Sequence, residues 1–293
     1  MMAETERGLS RSKTKRLKHR LRVVEKRDRF LRRDRTLNAA VLEEVFDRPT
    51  LMTIYDLMNQ GALQRLEGTV SAGKESRVYS GVDEHGNYVA VKIYLTTSAE
   101  FRRGMLPYIE GDPRFEHVKH NTRSLIQSWA QKEFRNLQRA HEAGVRVPKP
   151  IFVKNNVLIM EFIGREGLPA PLLKDTPIKD PTKLYRLLFQ TVRKLYARAR
   201  LVHADLSEYN IMIWKGRSVI FDVSQGVPVE HPMAETFLKR DLENLNRYFK
   251  LLGVNVIPVD QFYQKVVKSG RGNGSRQDPA GQGRSPHRPR REG

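Results

Sequence analysis

Apolar positions recur with two different periods along the 293-residue chain, and the change of period marks its organisation. Alternation with period two, which predicts strands, runs through "GTVSAG" near 68–72, "SRVYSGVD" near 76–83 and "YVAVKIYL" near 88–95. "DEHGN" supplies the turn between the last two. Before them, helical spacing predicts helices over about 37–47 and 49–60, divided at Pro49. Leu51, Ile54, Tyr55, Leu57 and Met58 share one face of the second, and Gly61 is placed to end it. A longer helix is predicted over about 123–143, where Ile126, Trp129, Ala130, Phe134, Leu137 and Ala140 line one face and Gly144 stops the run. "PIFVKNNVLIMEFI" reads as a hairpin turning at Asn155–Asn156, and "GREGLPAP" as a linker. A helix over about 181–200, short strands at 211–214 and 218–221, and a helix near 232–251 complete the pattern. Residues 97–122 are charged and interrupted by Gly104, Pro107, Gly111 and Pro113, which predicts a loop. The order is five strands with one long helix after the third, a linker, then a mainly helical half: an α+β chain with two lobes.

Composition narrows this picture. The chain has no cysteine, which excludes disulfides and thiolate metal sites. No apolar run approaches the roughly 18 residues of a membrane helix, and the first residues lack the apolar core of a secretory signal, so a reducing cytoplasm is the expected location. The net charge of +20 is unevenly placed. Residues 1–36 hold 14 Lys and Arg against 5 acidic residues, and residues 265–293 hold 8 against 2. Two basic ends point to attachment to a polyanion, with RNA the leading candidate; their ordinary use would be as solvated tails. The expected divisions are a basic arm (1–36), helices (37–66), a first lobe (67–164), a second lobe (165–262) and a disordered basic tail (263–293).

Candidate chemistry gathers in "LVHADLSEYNIMIW", residues 201–214. Asp205 and Asn210 have the D-x-x-x-x-N spacing of the protein-kinase catalytic loop, with His203 ahead of them in "HAD". Twelve residues after Asn210, "VIFDVSQG" ends an apolar run on Asp222, the place of a kinase's metal-binding aspartate. "SAGKESRV" places Ser71, Gly73, Lys74, Ser76 and Val78 on a phosphate-covering loop, although only its middle glycine is kept. "VAVK" ends in Lys92, fourteen residues after Val78. Glu133 falls on the apolar face of the long helix, where a carboxylate is costly unless paired, and Lys92 is the expected partner. Phosphoryl transfer needs positioning and charge neutralisation more than covalent chemistry, and these residues supply both. Lys92 would hold the α- and β-phosphates, Asn210 and Asp222 are hard oxygen donors suited to Mg²⁺, and Asp205 would take a hydroxyl proton. Singly, each has an ordinary use: Asx loop caps, a structural histidine, a solvated lysine. In this order and spacing they point together to a kinase fold.

The wording resembles one family within that fold. "TLMTIYDLMNQGALQRLEGTVSAGKESRVYSG", "VAVKIY", "WAQKEFRNLQRA", "GVRVPKP", "MEFIGREGLPAPLL", "LVHADLSEYNIM" and "FDVSQGV" resemble the RIO atypical protein kinases, closest to their type 1 branch, over most of residues 50–250. No "APE" follows Asp222, and a helix begins within about ten residues, so there is no room for the activation segment with which ordinary kinases dock peptides. Ser76 and Arg77 depart from the residues expected in the family at those places.

The resemblance implies an ATP- and Mg²⁺-dependent serine/threonine kinase, with Mn²⁺ as a substitute ion, that also autophosphorylates and acts as an ATPase through an aspartyl-phosphate. It implies work in late maturation of the small ribosomal subunit, with the subunit precursor and its rRNA as partners. Carried over, Glu161 and Ile163 offer hinge backbone groups to adenine, Lys92 and Glu133 form an ion pair, Asp205 is the base, and Asn210 and Asp222 hold the metal. Two other readings remain open. A small-molecule phosphotransferase of the aminoglycoside or choline kinase type shares the loop spacing, but would not need basic ends. A non-catalytic RNA-binding scaffold would be expected to have lost a key Lys, Asp or Asn.

Overall fold

The computed structural model describes residues 46–95, 99–116, 118 and 121–271. The predicted basic arm, the helix expected over 37–47 as far as residue 45, and the tail beyond 271 lie outside the described residues. The first described helix, α1 (Arg48–Asn59), starts on Asp47, whose side chain accepts the Thr50 N–H, with Pro49 in its first turn. It stops where Gly61 takes φ 74°, as foreseen.

Five strands form one antiparallel sheet: β1 (Arg65–Ala72), β2 (Ser76–Val82), β3 (Tyr88–Tyr94), β4 (Pro150–Lys154) and β5 (Val157–Glu161), in the order β1-β2-β3-β5-β4. β1 begins three residues earlier than its alternation suggested. The two-residue period of β3 divides it between two cores. Val89, Val91 and Ile93 pack with Ile54, Leu57 and Leu63 under α1. Ala90 and Tyr94 face the larger core, which contains Trp129 and Leu137 of α3 (Thr122–Glu142). Lys92 shares that second face and stands opposite Val78 of β2 and Leu158 of β5.

Two expectations are corrected here. The stretch expected as a loop over 97–122 contains a helix, α2 (Ala99–Ile109), and a 3₁₀ turn at Pro113–Phe115. Local breakers are outweighed by packing. Met105 and Tyr108 are buried, and the Tyr108 ring stacks on Phe237 at 5.0 Å between centroids and meets Trp129 edge-on. The "GREGLPAP" linker is a tight ribbon of β6 (Gly164–Arg165) and β7 (Leu168–Pro169). A side chain at Gly164 would run into the Leu168 carbonyl, so only glycine fits that approach.

The second half contains the predicted helices and strands, α4 (Pro181–Ala197), β9 (Ile211–Trp214), β10 (Arg217–Ile220) and α5 (Ala234–Leu251), together with two short strands that were not predicted, β8 (Leu201–Val202) and β11 (Val227–Pro228). β8 pairs with β11, and β9 with β10. A last helix, α6 (Val259–Arg271), extends ordered structure nine residues past the predicted end of the lobe at 262. Its Phe262 and Val266 are fully buried, and Phe262 lies 4.9 Å from the Phe189 ring of α4. Charge in the last residues drew the boundary too early, because the apolar face of a short amphipathic helix is set by its neighbours.

Candidate active site

A cavity of about 200 Å³ lies between the sheet and the second half. Its walls include Val70, Ser71, Gly73, Ser76 and Val78 from the β1–β2 turn, Ala90 and Lys92 from β3, and Glu161, Phe162 and Ile163 after β5, with Met212, Phe221 and Asp222 closing it. Most of the predicted nucleotide-binding residues therefore converge. Lys74 does not: it is exposed on the turn and is not among the residues lining the cavity.

Lys92 organises the closed end. Its Nζ donates to Glu133 Oε1 at 2.9 Å and to Asp222 Oδ1 at 2.8 Å, joining residues 41 and 130 positions apart in the chain. Lys92 and Glu133 are buried, whereas the Asp222 side chain is 41% exposed toward the cleft. Burial acts against the Lys92 ammonium, but the two carboxylates outweigh it and hold its pKa above the usual lysine range. For Asp222, burial is likewise outweighed by Lys92 and by the Ser224 hydroxyl, which donates to Asp222 Oδ1 at 2.8 Å; its pKa falls to about 2. Burial pushes Glu133 up in spite of Lys92. The Tyr94 hydroxyl donates to Glu133 Oε2. The two-residue period of β3 places Tyr94 on the same face as Lys92, a signal present in the sequence.

The 203–210 loop lies beside this end. Asn210 Nδ2 donates to the Asp205 carbonyl at 2.7 Å and to Asp205 Oδ2 at 2.9 Å, which leaves its Oδ1 as a hard donor. Asp222 provides the other. Among the described residues no group of three or more His, Cys, Asp or Glu is arranged to hold a metal ion. One carboxylate and one amide fit Mg²⁺, which takes few protein ligands and completes its shell with water and substrate phosphates. His203 is structural: its Nδ1 accepts the Asp205 N–H at 3.3 Å, so Nε2 carries the proton donated to the Phe221 carbonyl at 3.1 Å. Burial lowers its pKa and keeps it neutral. Burial raises that of Asp205.

Backbone conformation at the site is unusual. Ala204 and Asp222 have φ of 66° and 55°, in the left-handed region that a side chain disfavours. Asp241 of α5 holds the first of these. Its carboxylate accepts the Ala204 N–H at 2.9 Å and the Leu206 N–H at 2.8 Å, while Arg240 donates to the Ala204 carbonyl. Burial raises Asp241 to about 7 against those two bonds. On the other side, α3 grips the 222–226 turn. Lys132 Nζ donates to the Ser224 carbonyl at 2.9 Å, and Asn136 Nδ2 donates to the Val223 and Gly226 carbonyls at 2.9 Å each. Asp241, Lys132 and Asn136 were missed from the sequence; their only signal is a polar residue on an otherwise apolar helical face. Glu75, on the β1–β2 turn, was also passed over. Burial raises its pKa, and Asp222 and Asp205 add to the rise, which places it in the same field.

Known proteins are similar to this chain. A RIO domain model matches residues 77–262. A RIO-type serine/threonine-protein kinase Rio1 of Haloferax volcanii is 42% identical over 227 residues, which cover 78% of this chain and 77% of that protein. The serine/threonine-protein kinase RIO1 of Caenorhabditis elegans is 41% identical over 234 residues, 78% of this chain and 46% of that one, so the chain spans about half the length of that relative. In fold, the chain resembles the crystal structure of the Rio2 kinase-ADP/Mg²⁺-phosphoaspartate complex from Chaetomium thermophilum, with TM-score 0.61 and 22% identity over 77% of this chain and 67% of that one. By its RIO domain and these relatives, the chain belongs to the RIO kinase family, in its type 1 branch.

Proposed function

We propose that this chain is an ATP- and Mg²⁺-dependent serine/threonine kinase and ATPase whose turnover accompanies late maturation of the small ribosomal subunit. The observation that carries the chemistry is Lys92 held between Glu133 and Asp222 at the closed end of the cavity, next to the bonded pair Asp205 and Asn210. The serine/threonine-kinase names of its relatives agree with this reading. In it, the Glu161 carbonyl and Ile163 N–H meet adenine, residues 71–78 cover the phosphates, and Lys92 binds the α- and β-phosphates. Asn210 and Asp222 would hold Mg²⁺, which would supply charge neutralisation at the transferring phosphoryl group.

Transfer to a serine or threonine forms a bond from the hydroxyl oxygen to the γ-phosphorus and breaks the bond to the β–γ bridging oxygen. ADP leaves with that electron pair, and Asp205 takes the hydroxyl proton. The raised pKa of Asp205 suits it to that step. With no protein hydroxyl in place, an Asp222 oxygen attacks the same phosphorus and ADP leaves as before. Water then cleaves the aspartyl-phosphate, with Asp205 as base, releasing inorganic phosphate and restoring Asp222. The fold neighbour's phosphoaspartate is consistent with this route. α5 begins at Ala234, too soon after Asp222 for a peptide-docking segment, which favours ATPase turnover over general protein phosphorylation. The basic ends of the sequence suit a particle with exposed rRNA.

The test is ATP turnover with and without purified small-subunit precursors, together with the chemical stability of the label on the protein. Hydroxylamine-labile label on Asp222 and particle-dependent turnover are expected. Normal release of an Asp222→Asn variant from the particles would overturn the ribosome-linked role. Acid-stable label on added proteins, with turnover indifferent to particles, would leave a conventional kinase.

A further inference from the structure

A second polar cavity, of about 380 Å³, opens on another side of α3 from the nucleotide cleft. Arg114, Lys132 and Arg135 line it together with Ser124, Ser128 and Gln131, and none of the described lining residues is acidic. Ser124, Ser128, Gln131 and Arg135 follow one another at steps of four, three and four, so they share one face of the helix. Lys132 is buried at 1% exposure. Its Nζ lies 4.1 Å from the centre of the Trp129 ring and 5.9 Å from that of Tyr108, and it donates to the Ser224 carbonyl.

That environment leaves the ammonium short of compensation. An ammonium has three N–H donors, and one carbonyl engages only one of them. The acids whose fields reach Lys132 already serve other cations. Asp112 accepts from Arg114 at 2.6 Å and 2.8 Å, and Glu133 accepts from Lys92. Burial, reinforced by Arg114, presses the Lys132 pKa well below the usual lysine range. A buried cation beside a guanidinium is costly unless an anion joins them. Hydroxyls, amides and guanidinium forks around one space are the donors that suit tetrahedral oxyanions.

We propose that this cavity binds a phosphate-class oxyanion, free or carried on a phosphorylated side chain, with Lys132 as its buried cation and Arg114 and Arg135 as flanking ones. Lys132 also joins the cavity to the nucleotide cleft. It holds the Ser224 carbonyl, and the Ser224 hydroxyl bonds Asp222.

The test uses the full chain after phosphatase treatment, with its nucleotide cleft filled by a non-hydrolysable ATP analogue and Mg²⁺. Inorganic phosphate is titrated by calorimetry at constant ionic strength. One saturable equivalent is expected. Arg135→Gln, at an exposed position away from the cleft, should weaken phosphate binding about tenfold, the loss of one charge-assisted contact, and leave analogue binding unchanged. Lys132→Met should remove the phosphate heat altogether. If untreated chain takes up less phosphate than treated chain, the occupant is a phosphoryl group on the chain itself; equal uptake identifies the free anion. Absence of saturable binding to the treated chain, or equal binding by the wild type and Arg135→Gln, would overturn the proposal.

Discussion

Two lysines lie buried at α3, and they are compensated in opposite ways. Lys92 meets Glu133 and Asp222 at 2.9 Å and 2.8 Å, so two carboxylates hold its charge. Lys132, the residue next to Glu133, has one carbonyl and the faces of two aromatic rings. The pKa values move apart accordingly, that of Lys92 upward and that of Lys132 well downward. Burial is common to both, so the partners decide the outcome. The first lysine locks three elements around a reaction centre, whereas the second grips a turn while remaining short of an anion.

The contrast can be broken most directly at Lys92. Lys92→Met strips the partner from two carboxylates, one of them fully buried. Denaturant unfolding should show a loss of about 3–5 kcal/mol, as when one half of a buried pair is removed, and ATP turnover should fall by at least about a thousandfold. Unchanged stability would show that Glu133 finds compensation elsewhere.

Asp241→Asn attacks the far side of the same centre. The amide can accept only one of the two loop N–H bonds, so a loss of about 2–3 kcal/mol is expected by denaturant unfolding, with reduced turnover. The pH dependence of that loss sharpens the comparison further. Asp241 has a folded pKa raised to about 7, so its stabilising share is full below the unfolded carboxylate value and declines as pH rises through 7. The gap between wild type and Asp241→Asn should therefore narrow from pH 4 to pH 7. Asp222, held at about 2, has the opposite sign: its share is present above the unfolded value and is lost only as pH falls toward 2.

Lys132→Met should be mild where Lys92→Met is severe. Loss of a poorly compensated buried charge offsets loss of the Ser224 bond, leaving stability within about 1 kcal/mol of wild type. A loss as large as that at Lys92 would mean the two lysines are alike. A small, salt-dependent effect is expected at Arg146, which pairs with Glu161 at 2.6 Å in the half-exposed hinge region. Solvent screens this pair, so Arg146→Ala should cost about 0.5–1 kcal/mol, measured in low salt and less in high salt.

Much of this was legible in the residues. Strand alternation located β2 and β3 almost to the residue, and the apolar stripe of α3 located that helix within one residue at each end. Lys92, Asn210 and Asp222 were legible from their spacing along the chain, and Glu133 because it is a carboxylate on an apolar helical face. The failures share one cause. The sequence predicts a loop in place of α2 because Gly104 and Pro107 are local signals, while the burial of Met105 and Tyr108 that holds the helix depends on distant elements such as the one carrying Phe237. Lys74 was misplaced because a motif assigns a residue to a turn but not its side chain to one side of it.

The sequence by itself determined which faces are apolar, where the principal strands and long helices begin and end to within a few residues, and which polar residues are out of place. Those are local properties, set by periods of 2 and 3.6. Beyond the Lys92–Glu133 pair, only the tertiary structure decided which buried charges receive partners. Lys92 finds Asp222 across 130 residues, Asp241 reaches back to the 204–206 backbone, and Lys132 ends against a carbonyl. The physical reason is that a pattern fixes the direction in which a side chain points, while its charge state depends on what the rest of the chain brings within about 3 Å of it.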